Sequence, residues 1–151
     1  MNISPGNLDD LRIIALLGKH LEMMRAASPP ESVHALDLSG LKRPEVSFWA
    51  VWEGDILLGV GALKTLDGGE GEIKSMHTAA SARGRGVGQA MLTHIIATAK
   101  ARGMARLSLE TGSMDAFIPA RTLYARNGFT LCPPFGDYWE DPASVCMTRE
   151  I

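Results

Sequence analysis

Met76-His77-Thr78-Ala79-Ala80-Ser81-Ala82-Arg83-Gly84-Arg85-Gly86-Val87-Gly88-Gln89 joins a strand-like segment to a long amphipathic helix. Three glycines and two arginines fill the junction. Glycine lets backbone N–H groups approach a ligand closely, and a helix N-terminus carries about half a positive charge. Together these features predict an anion cradle, suited to a phosphate or pyrophosphate.

The pattern on both sides sets the fold. Downstream, Val87, Met91, Ile95 and Ala99, widened by Leu92 and Ile96, predict a helix from Val87 to Arg102. Gly103 suits its left-handed C-terminal residue. Ala105 to Glu110 reads as a strand, so strand, helix and strand imply a parallel crossover. A further helix from Ala116 to Asn127 precedes strands at Phe129–Cys132 and Ser144–Arg149.

Upstream, Val46–Trp52, Ile56–Leu66 and Glu72–Thr78 read as strands joined by Glu53-Gly54-Asp55 and Asp67-Gly68-Gly69 turns. They predict an antiparallel meander. Asn7 is the expected N-cap of a helix from Leu8 to Ala27, which Ser28-Pro29-Pro30 stops. Met1–Ile3 is a candidate first strand, and Glu31–Leu41 a short second helix bordering a pocket. The expectation is a mixed α/β sheet in one domain spanning residues 1–151.

Composition narrows the function. A 46% apolar and 21% charged content is that of a globular protein, and the formal charge is -2. Without a basic arm, broad nucleic-acid binding is not expected. Neither a membrane span nor a secretory signal is visible, which points to the cytoplasm. Cys132 and Cys146 lie far apart in sequence and are expected as reduced thiols. The four histidines show no H-x-x-H or Cys/His cluster, so no metal site is expected.

Three phosphate-loop patterns compete for the junction. A Walker A loop fails, because no Gly-Lys-Ser/Thr occurs. A dinucleotide loop needs Gly-x-Gly-x-x-Gly, and the third position here is Gln89. Glu110 does end the next strand at the separation of a ribose-binding acid, but Ala79 to Arg83 push the glycines away from the preceding strand. The third pattern, Arg/Gln-x-x-Gly-x-Gly/Ala, is met by Arg83-Gly84-Arg85-Gly86-Val87-Gly88.

With that loop, with Glu72-Ile73-Lys74-Ser75-Met76 before it and with Leu123-Tyr124-Ala125-Arg126-Asn127-Gly128-Phe129 after it, the chain resembles the GNAT superfamily of acyl-CoA N-acyltransferases. The resemblance covers most of the chain. Leu107–Gly112, Pro134–Tyr138 and Asp141-Pro142 are similar to a subgroup of small, mostly uncharacterised bacterial members. It implies a GNAT-like, mostly antiparallel central sheet with a splayed parallel pair, flanked by about four helices.

The resemblance also implies roles. Amides of Arg83, Gly84, Arg85, Gly86, Val87 and Gly88, with Gln89 in the first turn, would hold the pyrophosphate of acetyl-CoA. Met76, His77 and Thr78 would pair with its pantetheine arm. The amine of a small molecule or protein would attack the thioester directly in a ternary complex. Tyr124 is the implied acid for the departing thiolate, Glu72 the first candidate for the base, and Glu110 the second. A peptide N–H at Met76 or His77 would stabilise the oxyanion. Many members carry Asn where this chain has Phe117.

Strand alternation places Glu72, Lys74 and Met76 on one face, opposite Ile73, Ser75 and His77. Trp49, Trp52, Phe135, Tyr138 and Trp139 serve equally as core, loop anchors or an aromatic acceptor pocket. A non-catalytic acyl-CoA sensor is the alternative function. Paired C-terminal strands would give a homodimer.

Overall fold

The computed structural model describes residues 1–151. Seven strands form one sheet: β1 (Asn2–Pro5), β2 (Val46–Glu53), β3 (Ile56–Thr65), β4 (Glu70–Thr78), β5 (Arg106–Gly112), β6 (Thr130–Cys132) and β7 (Ser144–Glu150). Their order is β1-β2-β3-β4-β5-β7-β6. Every adjacent pair is antiparallel except β4 and β5. Helices α1 (Leu11–Ala27) and α2 (Leu38–Leu41) cover one face. Helices α3 (Val87–Ala101) and α4 (Ile118–Arg126) cover the other.

Each face has its own core. Ile13, Leu16, Leu17 and Leu41 pack on Phe48, Ala50, Val60 and Ala62. Val87, Met91, Leu92, Ile95 and Ile96 pack on Trp49, Val51, Leu63, Ile73 and Leu107. Leu92 and Ile95 are fully buried, and each such side chain contributes about 1.5–3 kcal/mol of transfer free energy.

The sequence reading places the N-cap of α1 at Asn7, but the cap is Asp10. Its carboxylate accepts from the Arg12 N–H at 2.9 Å and also grips the Arg12 guanidinium. Asn7 accepts instead from the Asp9 N–H at 2.9 Å, forming a local turn one step earlier. The expected helix over Glu31–Leu41 is reduced to a 3-10 turn at Pro30–Ser32 and the single turn of α2. Asp37 caps α2 by accepting from the Gly40 N–H at 2.8 Å.

A larger correction concerns β4. Val60 faces His77, yet Ala62 faces Lys74, so Ser75 and Met76 together oppose Gly61. Ser75 takes up this β-bulge with φ 54°. The side-chain alternation therefore flips: Met76 joins Ile73 on the α3 face, and His77 joins Glu72 and Lys74 on the α1 face. Gly61 is required there, because a Cβ would lie 2.6 Å from Met91 Cγ and 2.9 Å from Met76 Sδ. A Gly61→Ala substitution should cost about 1–3 kcal/mol through overpacking, read as a lower midpoint in urea denaturation with an unchanged slope.

Candidate active site

Strands β4 and β5 pair only at Glu70–Arg106, Gly71–Leu107 and Glu72–Ser108. Beyond that point a cavity of about 750 Å³ runs between them and on to the N-terminus of α3. Residues of both strand ends line it, including Ser75, Met76, His77 and Thr78 from β4 and Glu110 and Thr111 from β5.

At the α3 end, the chain after β4 makes a 3-10 turn at Ala80–Ala82 and enters the loop Arg83–Gly86. Gly84 and Gly86 have φ of 77° and 82°, and a Cβ on either would meet no atom within 4 Å. Open space lies where side chains would otherwise be. The first bond of α3 runs from the Ala90 N–H to the Gly86 carbonyl at 3.0 Å. The N–H groups of Val87, Gly88 and Gln89 precede it and have no acceptor within the helix. The residues present thus fit a phosphate group.

The two loop arginines part company. Arg83 lines the cavity. Arg85 turns away to pair with Glu53 at 2.6 Å and is not among the lining residues. Gln89 lines the cavity while its side-chain amide exchanges two 2.9 Å hydrogen bonds with Asn127. That exchange ties the first turn of α3 to the end of α4 and brings in Arg126, which also lines the cavity. Sequence reasoning passes over Arg126, because it takes the docking of α4 on the start of α3 to put it beside the loop.

Tyr124 projects from α4 into the same cavity. Its ring meets Phe129 edge-on at 5.8 Å between centroids, and burial pushes its phenol well above the usual range. Phe117 lines the cavity too and packs so tightly under β5 that a Cβ on Gly112 would overlap its ring. At this position the chain uses packing where an asparagine would offer hydrogen bonds.

The two carboxylates differ. Glu110 lines the cavity, and its Oε2 accepts from the Ser144 hydroxyl at 2.5 Å. Burial pushes its carboxyl above the usual range, against the opposing pull of Ser144, His34 and Lys74. Glu72 is buried and is not a lining residue. It accepts from Lys74 at 3.2 Å and from the Tyr138 hydroxyl, while Lys74 also donates to the Tyr138 oxygen at 2.9 Å. Burial, then the Glu72 charge, raises the Tyr138 phenol.

Tyr138 comes from the loop between β6 and β7, so this triad fastens that loop to the centre of the sheet. Asp141 accepts from Ser32 in a second clasp. The His34 ring stands edge-on to Tyr138 and Trp139, each at 5.0 Å. These contacts roof the end of the cavity nearest α1.

One pair is absent from the sequence reading. His20 of α1 and His77 of β4 approach through their Nδ1 atoms at 3.1 Å, and both line the cavity. Burial lowers both, His20 to about 4. The available signal was His20 on the buried stripe Ile13, Leu16, Leu17, His20, Met24. Because the folded pKa of His20 is depressed, the unfolded chain binds its proton first as pH falls from 6.5 toward 4. Stability should fall across that window, and a His20→Gln variant should show a flatter pH dependence in urea denaturation.

Residues 14–129 match the acetyltransferase (GNAT) family. The chain belongs to this family. The GNAT relationship is close along the whole length: the Bacillus subtilis (strain 168) protein named uncharacterized N-acetyltransferase YsnE is 53% identical, with 100% of both chains covered. The Escherichia coli (strain K12) protein named uncharacterized N-acetyltransferase YedL is 49% identical over 95% of this chain and 96% of its own. Among solved structures, an acyl-CoA N-acyltransferase assigned in Klebsiella pneumoniae subsp. pneumoniae MGH 78578 superposes with a TM-score of 0.82 at 30% identity. The superposition covers 99% of this chain and 96% of that one. The protein is a GNAT acetyltransferase, and its sheet, parted between the one parallel pair, is the GNAT fold.

Proposed function

We propose that this acetyltransferase moves an acetyl group from acetyl-CoA to an amine by direct attack in a ternary complex. The observation that carries the reading is the parting of β4 and β5 beyond Glu72–Ser108, which opens onto the α3 amides. The free amides of Val87, Gly88 and Gln89, with Arg83 and Arg126, supply the donors and charge that a pyrophosphate needs. The β4 segment Met76–Thr78 offers its backbone edge to the pantetheine amides, as a neighbouring strand would.

Acetyl-CoA brings the reactive thioester; the chain's task is to move protons and hold charge. Glu110 takes the proton that leaves the attacking amine. The Tyr124 hydroxyl gives its proton to the departing sulfur, and burial keeps that hydroxyl protonated at high pH. A peptide N–H at Met76 or His77 holds the oxyanion. Glu72 has a different task, since its carboxylate is engaged by Lys74 and Tyr138. It positions Lys74 and the roof loop.

Incubation with acetyl-CoA and a panel of primary amines should release free thiol. Tight CoA binding without thiol release from any amine would instead support an acyl-CoA sensor. The base assignment has its own test. Glu110 must be ionised to act, so kcat/KM should fall as pH drops through its raised pKa, above the usual carboxylate range. Glu110→Gln should lower kcat about 10²–10⁴-fold and remove that acid limb, measured as thiol release across pH. An unchanged limb would point to another group.

A further inference from the structure

We infer that the acceptor is a monocationic amine with an uncharged apolar or aromatic body and no carboxylate of its own. The inference rests on the acetyl-transfer reading above and narrows it. The cavity end away from the α3 loop is lined by Met23, Met24, His34, Ala35 and Tyr138. Thioether and aromatic surfaces adapt to an apolar body and pack well against a ring.

The charges at this end decide the rest. Glu110 is the only carboxylate among the residues lining the cavity. Its partner is a neutral hydroxyl, Ser144. Lys74 is the one lysine present, and its charge is matched by Glu72 at 3.2 Å. Arg83 and Arg126 lie at the opposite, α3 end of the cavity. His20 and His77 are occupied with each other at 3.1 Å. His34 faces Glu110 and Asp141 from the roof, and Asp141 is clasped by Ser32.

Glu72 and Glu110 together set two negative charges against the single positive charge of Lys74, and one ammonium on the ligand balances them. A carboxylate on the same ligand would have to draw Lys74 away from Glu72 and Tyr138, leaving those buried groups unpaired. A second ammonium would find no second acid in the cavity wall. Amino acids and polyamines are disfavoured on these grounds.

Calorimetric titration of the enzyme–CoA complex tests this with phenethylamine, phenylalanine and hexane-1,6-diamine. Phenethylamine should bind at least about tenfold more tightly than either competitor, a margin of about 1.4 kcal/mol. Glu110→Gln should erase its advantage over the neutral 2-phenylethanol. Equal or tighter binding of either competitor, or no binding of phenethylamine, overturns the inference. Thiol release with a competitor alone would sink the charge argument and leave acetyl transfer standing. Bound acetyl-CoA with no thiol release from any amine would sink acetyl transfer itself.

A second inference comes from the far edge of the sheet. We infer that Cys132 and Cys146 close an intramolecular disulfide when the protein meets a hydroperoxide. They are free thiols that face each other directly across β6 and β7. Facing residues of antiparallel strands have Cα atoms about 4.5 or 5.5 Å apart, and both spacings lie within the about 4.4–6.8 Å that a disulfide spans. The half-buried Cys132 thiolate attacks the peroxide oxygen, forming a sulfenic acid and releasing the alcohol or water. Cys146 then attacks that sulfur, expelling water and completing the bond. The loop so closed carries Tyr138 and Asp141, the two clasps of the roof.

Burial raises both thiols, Cys146 to about 11, so closure should be faster at pH 9 than at pH 7. Peroxide treatment should remove both titratable thiols, lower the mass by two hydrogen atoms, and leave a monomer on a non-reducing gel. Cys132→Ser should abolish the mass change. Persistence of both thiols, or only cross-linked dimers, overturns the assignment.

Discussion

A Tyr124→Phe enzyme is expected to bind acetyl-CoA as the parent does and to turn over about 10²–10⁴-fold more slowly. The substitution deletes only the oxygen. The ring stays in the α3-side core, edge-on to Phe129, so the fold and the thermal midpoint should hardly change. Loss of the proposed acid should appear in kcat, because in that mechanism the phenol donates only as the thiolate departs. KM for acetyl-CoA should stay within a small factor. Steady-state thiol release separates the two constants, and a kcat equal to the parent's would remove Tyr124 from the proposed mechanism.

Gly86→Asp should abolish acetyl-CoA binding altogether. Gly86 has φ 82° and is the N-cap of α3, so any L-residue there is strained by about 1–2 kcal/mol. A Cβ there points into the open space before the first turn of α3, so the aspartate side chain would occupy the room proposed for the pyrophosphate beside the amides of Gly88 and Gln89. Its charge would also repel the phosphates. A ligand at a hundred times its Kd stabilises the parent by about 2.7 kcal/mol. A thermal-shift assay should therefore show several degrees of upshift with acetyl-CoA for the parent and none for the variant. An upshift with NAD but not acetyl-CoA would refute the whole reading of the loop.

The residues differ sharply in how much of their placement could be read from order alone. The Arg83–Gly88 loop is legible because its instructions are local: glycines for positive φ, then an apolar stripe every fourth residue. The meander is legible for the same reason, since short turns force neighbouring strands to pair. Ser75 shows the limit. An alternation argument assumes unbroken pairing, and nothing in Lys74-Ser75-Met76 announces the extra residue opposite Gly61. Asn7 and Asp10 are both good caps, and the Arg12 guanidinium favours the second.

The candidate site divides along the same line. Glu110 and Tyr124 can be nominated from strand and helix ends, but the engagement of Glu72 by Tyr138 depends on a loop crossing from Cys132 to Ser144. The His20–His77 contact joins residues far apart in the chain, and only the packing of α1 on β4 brings them together. Arg126 and Arg85 exchange expected importance for a similar reason: Glu53 draws Arg85 off, while the packing of α4 brings Arg126 to the cavity.

The short β4–β5 junction also has a mechanical meaning. Three facing pairs join these strands, against seven between β5 and β7. The sheet is thus two stiff plates, β1 to β4 and β5 to β6, sharing a seam at one end only. A ligand chain lying along the free edge of β4 would act as a batten across the open part of that seam. Rigidity would then track occupancy, with those amide hydrogens of Met76 to Thr78 that face the gap exchanging more slowly once it is bridged.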